Sequence, residues 1–248
     1  MTTFFTYTIL GILQGIFEWI PISSEGVVAL AAQYLGAGVN PVDIALFLHL
    51  GTLFAALVYY GRDWINLLLF RDINLLRFLI IATAISLPIG FVVYKTVVQA
   101  ALGAGLLAVT GVGLLFTAYF QKKKVSLKLS KTAIAAIAGV LQGLAAIPGF
   151  SRSGSTIFGL SLGDFEPKAI LRLSYMMSVP AVATSSGYLF LKNPAISTDA
   201  WPAIVASFAA GLLFLEILTR FSGKTNFYRF ALAFAVLCLA GAVIEILM

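Results

Sequence analysis

The sequence predicts an all-α polytopic membrane protein, with six transmembrane helices and two re-entrant helical hairpins arranged as an inverted-topology repeat. Three observations predict it. The 248 residues are 60% hydrophobic and only 10% charged, with a mean hydropathy of +1.01, where a soluble domain carries roughly one quarter charged residues. The basic residues gather in short connections between apolar runs, as they do in cytoplasmic membrane loops. Finally, two apolar stretches break at a proline, continue at once in serine and glycine, and resemble one another.

In chain order, the first broken stretch spans 4–38 and contains "PISSEG", Pro21 to Gly26. The first eight residues of the chain hold no Lys or Arg, unlike the charged start of a cleavable signal peptide, so the N-terminal apolar run is expected to stay in the mature protein. Runs near 42–60, 75–94 and 101–120 follow, each roughly 17 to 20 residues long, enough to cross about 30 Å of hydrocarbon as a helix. A basic connection at 121–131 holds Lys122, Lys123, Lys124, Lys128 and Lys131. The second broken stretch, 132–163, leads into three more runs near 173–191, 201–219 and 229–247.

"LQGIFEWIPISSEG" (Leu13 to Gly26) matches "LQGLAAIPGFSRSG" (Leu141 to Gly154) with a one-residue shift before the proline. Downstream, "NPVDIALFLHL" (Asn40 to Leu50) aligns with "FEPKAILRLSY" (Phe165 to Tyr175) when Pro41 is set on Pro167. The chain therefore reads as a single membrane domain, 1–248, with repeat 1 at about 1–121, a cytoplasmic linker at 121–131 and repeat 2 at about 132–248. Charge sets the orientation. The 121–131 linker and the 61–77 connection, with Arg62, Arg71 and Arg77, are expected in the cytoplasm, two crossings apart. If 132–163 enters and leaves on one side, Arg220, Lys224 and Arg229 are cytoplasmic too, and the loops at 95–100 and 192–200 are outside. Both termini are then outside, and the tips of the two broken elements meet near mid-membrane.

Composition excludes several functions. The net charge of +6 forms no extended basic face, which argues against nucleic-acid binding. Cys238 is the only cysteine, so no intrachain disulfide forms, and no His/Cys spacing suits a zinc site.

Non-helical backbone at membrane depth is tolerated only where protein or a water-filled cavity satisfies it. After each break a half-helix can restart, and its N-terminal N–H groups and dipole favour an anion. Ser23, Ser24, Ser151, Ser153, Ser155 and Thr156 add hydroxyls beside those starts, and Arg152 adds a planar fork suited to phosphate. Burying Arg152 and Glu18 costs on the order of 3 kcal/mol each, so a partner or ligand is expected. Two readings stand side by side for this set: a phosphate site, or hydroxyls that satisfy freed backbone around a structural ion pair. Glu25 reads as a dipole-favoured carboxylate if Ser24 is the N-cap, His49 as a packing or hydrogen-bonding histidine, and Glu216 and Glu245 as interface residues.

"QGIFEWIPISSEG" and "PGFSRSGST" resemble the two signature motifs of the undecaprenyl-diphosphate phosphatase family, also known for bacitracin resistance, and the likeness extends through "FLHLGTLFAALVYY". The resemblance implies a multi-pass plasma-membrane enzyme that removes the terminal phosphate of a polyprenyl diphosphate, with a fold of six crossings and two re-entrant hairpins. It makes Gln14 and Glu18 the (E/Q)xxxE pair, Ser24 the candidate nucleophile and Arg152 the phosphate clamp, with Ser23, Ser151, Ser153 and Thr156 as substrate-binding hydroxyls. Gln14 and Glu18, four apart, share a helix face. One departure stands out: family members usually carry histidine three residues after the serine, where this chain has Val27, and a small polar residue where it has Glu25. Glu18 then remains the candidate general base or ligand of a divalent cation, Mg²⁺ or Ca²⁺, bridging diphosphate oxygens. The partners implied are the polyprenyl lipid and the bilayer, with the site opening on the outer side. A rival reading, a lipid-phosphate transporter or flippase without hydrolysis, uses the same clamp.

Overall fold

The computed structural model describes residues 3–36, 41–97, 103–123, 127–147, 150–192, 200–222 and 227–247. Asn40, Lys124, Pro148, Lys224, the side chain of Glu245 and residues 98–100 and 193–199 of the two loops expected outside lie beyond the described residues. Among the described residues the chain is entirely helical. The elements are α1 (Thr3–Phe17), α2 (Ser24–Tyr34), α3 (Pro41–Tyr59), α4 (Gly61–Leu68), α5 (Ile73–Val97), α6 (Gly103–Lys123), α7 (Lys131–Leu144), α8 (Arg152–Ser161), α9 (Pro167–Lys192), α10 (Trp201–Ser222) and α11 (Phe227–Leu247).

Each apolar run of the sequence is a helix, and each broken stretch is two: α1 with α2, and α7 with α8. By length and composition, the helices over Ile73–Thr96 and Trp201–Phe221 are long and apolar enough to cross a membrane. The surface agrees. Phe54, Val58, Val205, Leu213, Val236, Leu237, Val243 and Ile244 are exposed along the helices, an apolar exterior that a water-soluble monomer rarely presents. The short helix α4 was not foreseen; it lies in the connection read as a charged loop. Arg172 of α9 explains it, donating to Asp63 from Nε at 3.1 Å and from a terminal nitrogen at 2.8 Å, which fixes α4 against the bundle while Leu67 is buried.

Packing follows small residues. α1 lies on α10 and α7 on α5, while α3 meets α9 and α6 meets α11. Gly11 and Gly15 of α1 face Ala203, Ser207 and Gly211 of α10, and Gly139 and Gly143 of α7 face Ala82 and Ser86 of α5. A Cβ at Gly15 would stand 2.6 Å from the Gly211 nitrogen, and one at Gly139 2.6 Å from the Ala82 carbonyl. Only glycine lets these backbones approach so closely, the small-xxx-small device of membrane helix pairs. This contact aims the end of each first half-helix at the middle of the molecule.

Candidate active site

The two breaks are built alike. Ser23, in extended backbone at φ −65° and ψ 102°, caps α2 by accepting from the Gly26 N–H at 3.2 Å. Ser151, at φ −65° and ψ 117°, caps α8 by accepting from the Gly154 N–H at 3.1 Å. The cap of α2 is thus Ser23 and not Ser24, which corrects the assignment made for Glu25: Ser24 is the first helical residue and Glu25 the second. The breaks also touch. Ser153 Oγ, on α8, donates to the Ile20 carbonyl at 2.8 Å, satisfying backbone that the first break frees. Trp19 anchors the same segment, its Nε1 donating to Gly211 O at 2.8 Å while its carbonyl accepts from Tyr175 Oη at 2.9 Å.

Glu18 is the centre of the site and is 4% exposed. Its Oε2 accepts from Gln14 Nε2 at 2.9 Å and from Ser24 Oγ at 3.0 Å, and its Oε1 accepts from the Arg152 guanidinium. His49 of α3 completes the set, with Nε2 3.1 Å from Oε2 and Nδ1 2.7 Å from the Ala45 carbonyl. Four donors and an opposite charge compensate a carboxylate that burial would otherwise penalise heavily. Arg152 is held in turn by Ser174, whose carbonyl accepts from it at 3.2 Å.

The structure therefore brings together Gln14, Glu18, Ser24 and Arg152, from α1, α2 and α8 and the break after α1. Ser23, Ser151 and Ser153 line the same polar recess. Thr156 stands one layer back: its Oγ1 is 2.6 Å from Ser174 Oγ and donates to the Arg152 carbonyl at 2.9 Å, supporting the clamp from behind. Ser155 binds α8 to α7, its Oγ donating to Leu141 O at 3.3 Å and to Arg152 O at 3.0 Å. His49 is the residue that the sequence reading set aside. The signal for it was an ionisable side chain in an apolar run, which within a membrane marks a functional site by default.

Two cavities meet here. The recess, about 20 Å³ and bordered by Glu18, Ser24 and Ser153, has room for roughly one water. Beside it lies a cavity of about 340 Å³ between α5, α7 and α9, walled by Leu87, Phe91, Ala181 and Val182 and ending at Tyr94 and Tyr188. Pro88 and Pro180, which interrupt the backbone ladders of α5 and α9, are the chain neighbours of the lining residues Leu87 and Ala181. Glu25, His49, Ala145 and Arg152 border both spaces. An elongated apolar ligand with an anionic head has its tail and its head provided for.

Fold and site together define an all-helical membrane protein with a buried carboxylate, guanidinium and hydroxyl centre between two broken helical elements. The family model for "Bacitracin resistance protein BacA" matches residues 7–240, and this chain belongs to that family. It is 36% identical to a Haloarcula marismortui protein named undecaprenyl-diphosphatase, over 95% of this chain and 96% of that one. Proteins of the same name from Methanococcoides burtonii and Bacteroides fragilis are 33% and 34% identical, covering 92% and 94% of this chain and 94% of each relative.

Proposed function

We propose that this chain is an integral membrane phosphatase that removes the terminal phosphate of a polyprenyl diphosphate of the undecaprenyl type and so recycles a lipid carrier. The observation that carries the reading is the junction of the two cavities, where Arg152 and the hydroxyl-rich recess meet a long apolar space. The names of the relatives agree with it. The first isoprene units of the prenyl chain occupy the larger cavity, the rest of the chain lies in the bilayer, and the diphosphate lies at the junction. Ser24 attacks the terminal phosphorus and gives its proton to Glu18, already its acceptor at 3.0 Å. The new Oγ–P bond replaces the bond to the bridging oxygen, whose electron pair leaves with the lipid monophosphate; water then releases the phosphate. Arg152, the start of α8 and the hydroxyls of Ser23, Ser151 and Ser153 balance the charge, with Gln14 holding Glu18 and Thr156 holding Arg152.

A divalent cation fits this donor set. Gln14 Oε1, on the amide whose Nε2 donates to Glu18, is buried and has no hydrogen-bond partner among the described residues, and Mg²⁺ or Ca²⁺ accepts one carboxylate and a carbonyl oxygen while phosphate and water supply the rest. Glu18 and Gln14 would hold it, and it would neutralise the diphosphate. Chelator treatment of the purified protein tests this by loss of phosphate release.

In the same reading the chain is one membrane domain of two inverted repeats, with six crossings, two re-entrant hairpins and the 121–131 linker in the cytoplasm. The matching caps at Ser23 and Ser151 support it, as do the paired contacts of α1 with α10 and α7 with α5. The site then opens on the outer side of the plasma membrane, where α5 and α9 end near Tyr94 and Tyr188. Phosphate release from undecaprenyl diphosphate by the protein in detergent, compared with Glu18→Gln, is the direct test.

A further inference from the structure

We infer that α4 is a docking element for anionic lipid: its outer face lies in the headgroup layer, where Ile65, Leu68, Leu69 and Phe70 enter the acyl boundary and Arg62, Arg71 and Arg77 hold lipid phosphates. The inference does not depend on the phosphatase reading. α4 has eight residues, about 12 Å of helix, and connects α3 to α5. Its inner face is settled: Leu67 is buried, Trp64 is half-buried and Asp63 is bound by Arg172. Arg62, Ile65 and Leu69, at spacings of three and four, share the opposite face, and Leu68 beside them is 77% exposed. Ile73 and Ile80 continue the exposed apolar surface along α5, with Arg77 on the same stripe between them.

The turn after α4 points the same way. Phe70 stands at φ 55°, a left-handed backbone that residues with a side chain rarely adopt. Its N–H donates to the Leu67 carbonyl at 3.0 Å and that of Arg71 to the Asn66 carbonyl at 2.8 Å, the helix ending that glycine usually makes. Glycine closes this turn without strain, so the phenylalanine costs stability unless something outside the chain covers its ring, which is 69% exposed. Charge identifies the cover. Asp63 is occupied by Arg172, Asp72 accepts from the Leu75 N–H at 3.0 Å, and none of the three exposed arginines has an ion-pair partner among the described residues. Apolar side chains rimmed by unpaired guanidinium groups match a leaflet surface, with acyl chains beneath and phosphates at the level of the arginines.

The experiment uses the full chain with Cys238→Ala and a fluorophore on Leu68→Cys or Phe70→Cys, reconstituted in phosphatidylcholine vesicles. The vesicles carry an equal small fraction of either phosphatidylglycerol or phosphatidylcholine bearing a nitroxide high on the acyl chain, in both leaflets, so the orientation of the protein does not enter. Both probes should be quenched by lipid nitroxide and shielded from aqueous iodide. Quenching should show phosphatidylglycerol enriched over phosphatidylcholine by at least about fivefold, the gain from one arginine at an anionic headgroup. Combining Arg62→Gln, Arg71→Gln and Arg77→Gln should bring the ratio near one. Raised salt should lower it with the arginines in place, which covers a triple variant that does not fold. Probes quenched by iodide and not by lipid, as expected of a surface kept for a protein partner, overturn the inference. So does equal quenching by the two lipids, or an enrichment that persists in the triple variant or, where that variant does not fold, in high salt. Phosphate release plays no part in the measurement, so failure here leaves the phosphatase reading standing.

Discussion

Glu18 holds its site through donors from four places: Gln14 on α1, Ser24 on α2, His49 on α3 and Arg152 on α8. Glu18→Gln replaces an acceptor oxygen with an amide that donates, so at least one of those bonds becomes a clash of donors. Phosphate release should fall by about 10²-fold or more. Arg152→Lys keeps the charge but loses the planar fork that spans Glu18 and the Ser174 carbonyl, and most activity should go with it. An Arg152→Lys rate near that of wild type would mean that the arginine only packs. These residues were legible in the sequence because charged and hydroxylated side chains stood where hydrocarbon was expected. His49 was not, because its partners lie on other helices and a lone histidine in an apolar run fits two roles. Ser23 and Ser24 are adjacent and cap equally well by type; only the backbone geometry distinguishes them.

At the scale of elements, helix contacts made by glycine should be the sensitive points. Gly139→Leu drives a side chain into the Ala82 carbonyl of α5 and should abolish folded protein in detergent, read by size exclusion. Gly187→Ala is the contrast: among the described residues nothing lies within 4 Å of an added Cβ there, and a helix interior gains up to about 1 kcal/mol from alanine. Its midpoint of thermal unfolding should hold or rise. Cys238→Ala should also be mild, since the thiol makes only a long 3.5 Å contact with the Pro21 carbonyl. The long helices could be read from apolar length, and the two breaks from proline followed by serine and glycine. α4 could not, because eight residues containing Arg62 and Asp63 look like a loop until Arg172 arrives from α9.

For the whole molecule, the proposed orientation predicts that cysteines placed at Lys128 react only with reagent on the cytoplasmic side, and cysteines near either terminus only from outside. A terminus protected from outside while the linker reacts there would reverse the orientation. The proposed repeat rests on "LQG" recurring at Leu13 and Leu141 ahead of two breaks that carry like caps at Ser23 and Ser151. The chemistry is not repeated: the position matching Glu18 is Ala146, and the one matching Arg152 is Ser24. Glu18, from the first break, and Arg152, from the second, meet across 134 positions of the chain. The central claim is that this shared centre cleaves a lipid diphosphate. Purified wild-type protein, Ser24→Ala and Glu18→Gln, each given undecaprenyl diphosphate in detergent and assayed for released phosphate, test it most directly. Wild type should release phosphate and both variants should lose about 10²-fold or more; wild type that releases none, or variants that match it, would mean that this centre does not cleave the lipid diphosphate.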